Sequence, residues 1–174
     1  MINWQPFVTL PANTRPKPPR DIHTKEGLGD RLRTAAFAEI QAREAFLWAS
    51  QTFKEASTDL KNDWLLLAKE EDKHLGWLLS RMSELQIDVK EREVSLWLWD
   101  SFMSCKSAKD FAVFMANAEE RGRKAGERFY ETLLSTDPVS AKIFGQIAKE
   151  EVAHIELAKR FFPQEFEPKK SLTG

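Results

Sequence analysis

The chain says nearly the same thing twice, 80 residues apart. Ala68-Lys69-Glu70-Glu71-Asp72-Lys73-His74 returns as Ala148-Lys149-Glu150-Glu151-Val152-Ala153-His154, and each copy holds a Glu-x-x-His. A further glutamate stands 32 residues upstream of each motif, Glu39 before Glu71 and Glu119 before Glu151. A duplicated helix–helix unit follows from this spacing, each copy offering two carboxylates and one imidazole. With only 7 Gly in 174 residues, and long stretches free of both Gly and Pro, helices are favoured throughout. A chain of this length, 42% hydrophobic and 30% charged, suits one domain with a substantial core.

Four long helices can be placed from periodicity and capping signals. Asp30 reads as the N-cap of the first, at about 31–56, whose apolar stripe includes Ala35, Ala36, Ala42, Phe46 and Phe53. Thr58 or Asp59 reads as the cap of the second, which carries Trp64, Leu67, Leu75 and Leu78 and ends near Gln86. Ser107-Ala108-Lys109-Asp110 has the form of a capping box opening the third helix. Asp137-Pro138 supplies an N-cap and a first-turn proline for the fourth, and Pro163 marks its stop. Tight links join the first helix to the second and the third to the fourth. Residues 87–106 form a longer link with the apolar cluster Leu96, Trp97, Leu98, Trp99 and Phe102, enough to cross a bundle and to hold a short helix. The expected organisation is an extended Pro-rich and basic arm over 1–30, a bundle over 31–163 and a tail over 164–174. The fold class is all-α, a ferritin-like four-helix bundle of two antiparallel hairpins joined by a long crossover; an ordinary bundle with an irregular linker is the alternative.

Glu39, Glu71, His74, Glu119, Glu151 and His154 all fall within the apolar stripes of their helices. Small neighbours (Ala36, Ala42, Gly122, Ala148) leave room for ions and other ligands. Four buried carboxylates without partners would each cost several kcal/mol. Two divalent cations cancel that charge, and oxygen-rich ligation with one nitrogen per ion suits two Fe ions, with Mn as the alternative. The pattern follows the di-metal bundle template of one Glu from each of two helices and Glu-x-x-His from each of the others. Surface Glu–His pairs and a vestigial, metal-free site are the competing readings.

Neighbouring residues receive separate assignments. Glu70, Glu120 and Glu150 precede or follow a proposed ligand by one position and so are read as flanking salt-bridge partners. Glu44 is read as exposed. Arg43 and Arg123, each four residues after a proposed ligand glutamate, are expected to hydrogen-bond a ligand carboxylate. Tyr130, the single tyrosine, is expected in the core, and His23 in solvent. Cys105 is the single cysteine and cannot form an internal disulfide, which fits a reduced, cytoplasmic chain. No apolar run is long enough to span a membrane, and no secretory signal pattern opens the sequence. The net charge of -1 argues against non-specific nucleic-acid binding.

From about residue 31 to 162 the chain resembles the ferritin-like di-iron carboxylate superfamily. It is most similar to an uncharacterised bacterial ferritin-like family related to the tRNA-modifying non-haem di-iron hydroxylases. The resemblance rests on Ala38-Glu39-Ile40-Gln41-Ala42, on Asp63-Trp64-Leu65-Leu66-Leu67-Ala68-Lys69-Glu70-Glu71 with His74, on Glu119-Glu120-Arg121-Gly122, and on Glu151-Val152-Ala153-His154 with Arg160-Phe161-Phe162. It implies that the six Glu and His residues bind metal, and it supplies no substrate. The expected function is that of an oxidoreductase or hydroxylase activating O2 or peroxide, with electrons from an external reductase. A ferroxidase, peroxide-scavenging or iron-handling protein is the alternative, and a non-enzymatic helical adaptor a second one. The substrate, whether a small molecule or a macromolecule such as tRNA, and self-association into a homo-oligomer stay open.

Overall fold

A computed structural model describes residues 2–167. Five helices follow one another: α1 (Lys25–Thr52), α2 (Thr58–Glu84), α3 (Trp97–Met103), α4 (Ala108–Leu133) and α5 (Pro138–Phe161), with a short 3-10 turn at Pro163–Glu165. No helix among the described residues is long and apolar enough to cross a membrane. The expected tail lies partly outside the described residues.

The capping signals at Ser107 and Asp137 act as expected. Ser107 Oγ accepts from the Asp110 N–H at 3.1 Å, and Asp137 Oδ1 from the Ser140 N–H at 3.1 Å, each satisfying an otherwise unpaired donor of the first turn. Three other boundaries differ, one of them the end of α1, at Thr52 rather than near 56 because Phe53 turns extended. The first helix begins at Lys25, not near 31, because Thr24 is its cap and accepts from the Gly27 N–H at 3.0 Å. Asp30 lies inside α1, only 4% exposed, and pairs with Arg20, Arg33 and Arg92. α2 is capped one position earlier than expected, by Ser57.

α1 packs along α2, and α4 along α5. Two apolar clusters fill the bundle, one around Phe46, Phe53, Trp64 and Phe111, the other around Leu32, Phe37, Leu78 and Phe144. Along α1 and α5 the chain passes from the second cluster to the first; along α2 and α4 it passes from the first to the second. The link between α2 and α4 must therefore return along the bundle, and α3 lies on that return. Gln41 ties it down, accepting from the Trp99 N–H at 2.9 Å.

The N-terminal arm is stitched to the same crossover. Thr9 forms a parallel bridge with Val94, and Trp4 and Phe7 pack their rings on Phe37. Tyr130 departs from its expected core position: it is 37% exposed on α4, its ring against Gly145 of α5. The tryptophans also divide, Trp64 being buried in the core and Trp97 63% exposed on α3.

Candidate metal centre

The six residues singled out by the repeat meet between the two apolar clusters. Glu39 comes from α1, Glu71 and His74 from α2, Glu119 from α4, and Glu151 and His154 from α5. All are buried, from 0% exposed for Glu71 and His74 to 9% for Glu39. Two groups of donor atoms form, each with its atoms within 4.8 Å of one another: Glu39, Glu71, His74 and Glu151, and Glu71, Glu119, Glu151 and His154. Glu71 and Glu151 belong to both. The duplicated motif thus places one glutamate from each copy between two positions and one Glu–His pair on either side. The two imidazoles stack nearly parallel, 6.0 Å between centroids.

What the donor atoms lack is as informative as their proximity. His74 Nδ1 stands 3.5 Å from Glu151, 3.6 Å from Glu71 and 3.8 Å from Glu39, beyond normal hydrogen-bond length. His154 Nδ1 is 2.9 Å from Glu71 Oε1 without hydrogen-bond geometry. Both Nδ1 atoms, both Glu71 oxygens, Glu119 Oε1 and Glu151 Oε2 are buried with no hydrogen-bond partner among the described residues. Buried acceptors crowded in this way require protons or cations among them. Burial and the like charges of neighbouring carboxylates push Glu39 and Glu119 well above the ordinary carboxylate range. Burial and the Glu151 charge push Glu71 up too, but the imidazoles of His154 and His74 outweigh them and bring it down. Burial alone would lower the imidazoles; the surrounding carboxylates instead raise His74 to about 12 and His154 to about 11. Carboxylate oxygens and imidazole nitrogens gathered around shared points make a donor set that fits a divalent metal ion, which would displace the protons they hold.

The outer ring nitrogens are held crosswise between the two helix pairs. Carboxylates only accept, so His74 Nε2–H donates to Glu150 Oε2 at 2.7 Å and His154 Nε2–H donates to Glu70 Oε2 at 2.8 Å. Each imidazole is thereby turned with its Nδ1 towards the centre, where a bound metal ion would replace the Nδ1 proton. Glu150 is itself gripped by Lys73 and Gln146, at 2.6 and 2.8 Å. Burial pushes its carboxyl up, but Lys73, Gln146 and His74 hold it down at about 2.

Sequence reasoning assigned Glu70 and Glu150 to flanking salt bridges and missed this role. The signal was present, since both copies read Glu-Glu-x-x-His. Arg43 and Arg123 take different partners from those expected. Arg43 donates to Glu44 and Asp72, and Arg123 to Glu120 and Glu127; these bonds lead away from the six central residues. Their long side chains run outward to flanking acids, so spacing along the helix does not bring their head groups to the centre.

A cavity of about 610 Å³ lies beside the centre, bounded by α1, α4, α5, the crossover with α3 and the Pro-rich arm. Phe37, Phe102, Met115, Phe129, Phe144 and Ile147 contribute its apolar wall. Glu39, Glu119 and Glu151 reach it from the cluster. Small residues on facing helices, Ala35, Ala38 and Ala42 on α1 and Ala118, Gly122 and Ala125 on α4, leave the space open.

A family model matches residues 5–171. The chain belongs to the DUF455 family, described as proteins of unknown function. Comparison with curated proteins and with solved structures finds no significant match.

Proposed function

We propose that this DUF455 protein is a dinuclear metal protein of the ferritin-like di-iron carboxylate class, and that it acts as an O2-activating hydroxylase or related oxidoreductase. The observation that carries the reading is the pair of overlapping donor groups sharing Glu71 and Glu151, with buried lone pairs unpartnered. The order in which the four long helices traverse the two apolar clusters agrees with a bundle whose halves are joined by one crossover, the ferritin-like connection. Four carboxylates balance two divalent ions, and mixed oxygen and nitrogen ligation favours iron, with manganese as the alternative.

Bound iron would supply the redox chemistry that activates O2. The chain's own residues do the rest. Glu71 and Glu151 stand between the two positions, and Glu39 with His74 and Glu119 with His154 close the flanks. Glu70 and Glu150 fix which ring nitrogen carries a proton. The cavity's largely apolar wall suits an organic substrate and would present it to the Glu39, Glu119 and Glu151 side. In the overall reaction one oxygen atom enters a C–H bond and the other leaves as water, with two electrons and two protons from a separate reductase. The cavity favours this over ferroxidase or storage chemistry, which needs no space for an organic molecule.

Anaerobic reconstitution with ferrous iron should yield two Fe per chain. Glu71→Ala and His154→Ala should both lower the metal content and remove the absorption changes that follow exposure to O2. Wild-type metal content in both variants would sink the assignment.

A further inference from the structure

We propose that the cavity beside the metal centre binds an amphiphilic monocarboxylate, an apolar chain ending in a single anionic head. This names a substrate class for the proposed oxidoreductase and rests on that reading for its chemistry, although the binding itself needs no metal. At about 610 Å³ the space lies within the range of about 300–1,000 Å³ that accommodates small organic ligands. Its inner wall is aromatic and aliphatic, and its polar end at Glu39, Glu119 and Glu151 carries no cationic lining residue. The inner lining thus offers a carboxylate head no unpaired cation, and the head sits at the rim.

The rim suits that head. Arg31, Lys17 and Arg121 line the cavity, and none forms an ion pair among the described residues. Arg31 donates only to the backbone oxygens of Arg20 and Gly27, and Arg121 lies over the Phe114 ring. Arg33 and Arg92 are already neutralised by Asp30 and Glu91. Among the described residues Glu93 is the one rim acid without an ion pair, so positive charge is in excess there. From Arg31 to Glu39 is eight residues of α1, about 12 Å along the helix, which leaves length for an apolar chain between head and metal centre. A polynucleotide would need several more phosphate contacts than three unpaired cations provide.

Gly122 offers a direct test. A Cβ built there meets nothing within 4 Å, so a side chain can leave the backbone at this lining position without a clash at its first atom. Metal-free protein titrated calorimetrically with dodecanoate, below its micelle-forming concentration, should bind one molecule per chain. Dodecyltrimethylammonium, the same chain with the opposite charge, should bind at least tenfold more weakly. Gly122→Trp should weaken dodecanoate binding at least tenfold while the protein still unfolds cooperatively at or above the wild-type melting temperature. Ala125→Leu, which fills the same wall, serves should Gly122→Trp fold poorly. Arg31→Gln should weaken dodecanoate severalfold and reduce the salt dependence of binding. Equal affinity for the two head groups, dodecanoate binding undiminished by the filled cavity, or saturable tRNA binding without any for dodecanoate would overturn the proposal. Iron stoichiometry is read separately: two Fe without dodecanoate binding defeats this inference alone, and dodecanoate binding without iron defeats the metal reading alone.

Discussion

Glu70 and Glu150 show how a single position along a helix separates two jobs. Glu71 and Glu151 point into the centre; the residue before each is turned about 100° away and reaches the opposite helix, where it accepts from the imidazole of the other repeat. Removing either acceptor charge leaves the ligand atoms intact but loosens the ring that carries one of them. Glu70→Gln and Glu150→Gln should therefore each lower metal affinity about 10- to 100-fold. Competition against a chromophoric chelator measures this, and unchanged affinity in both variants would reduce the two glutamates to surface pairing. The six central residues were legible because the repeat is written in sequence and because polar groups stood inside apolar stripes. The Arg43 and Arg123 contacts were not legible, since an arginine head group can reach partners on any side of its own turn, and acids lay closer than the centre.

At the scale of the helix, close approach decides what the sequence alone leaves open. Asp30 has the chemistry of an N-cap, but burial beside three arginines uses it otherwise, and α1 starts a turn and a half earlier at Thr24. Gly27, in the first turn, explains why that start is possible: a Cβ there would fall 1.7 Å from the Asp21 carbonyl oxygen. Gly27→Ala should push the arm off α1 and lower stability by more than about 2 kcal/mol, a loss typical of severe steric conflict. Gly76, in the middle of α2 with nothing within 4 Å of a built Cβ, is the control. Gly76→Ala should raise stability by about 0.5–1 kcal/mol through helix propensity alone. Urea denaturation of the two variants separates them by sign. The other helices were readable because Ser107, Asp137 and Pro138 are local signals that no tertiary contact overrides.

Across the whole molecule, Asp30 joins three parts of the chain: the arm through Arg20, α1 through Arg33 and the crossover through Arg92. Burial pushes its carboxyl up, but Arg20 and Arg92 hold it well below the usual range. A depressed carboxyl contributes stability above the unfolded-state value of about 3.9 and loses it as pH falls towards the folded-state value. Asp30→Ala should cost about 3 kcal/mol at neutral pH, because it strands buried Arg33 without that partner. The difference from wild type should stay level between about pH 5 and 8 and shrink only below about pH 4. A difference that disappears at pH 6 would remove Asp30 from that role. This junction was hidden from sequence reading because its members are scattered between residues 20 and 92 and share no spacing rule.

The crosswise hold on the histidines also says something about symmetry. Each half of the chain contains both a ring and the acid that steadies a ring, but never for its own use. A single half is thus incomplete by itself and self-complementary in pairs: two identical copies, related by a rotation of half a turn, would aim each other's imidazoles as the two repeats do within this one polypeptide.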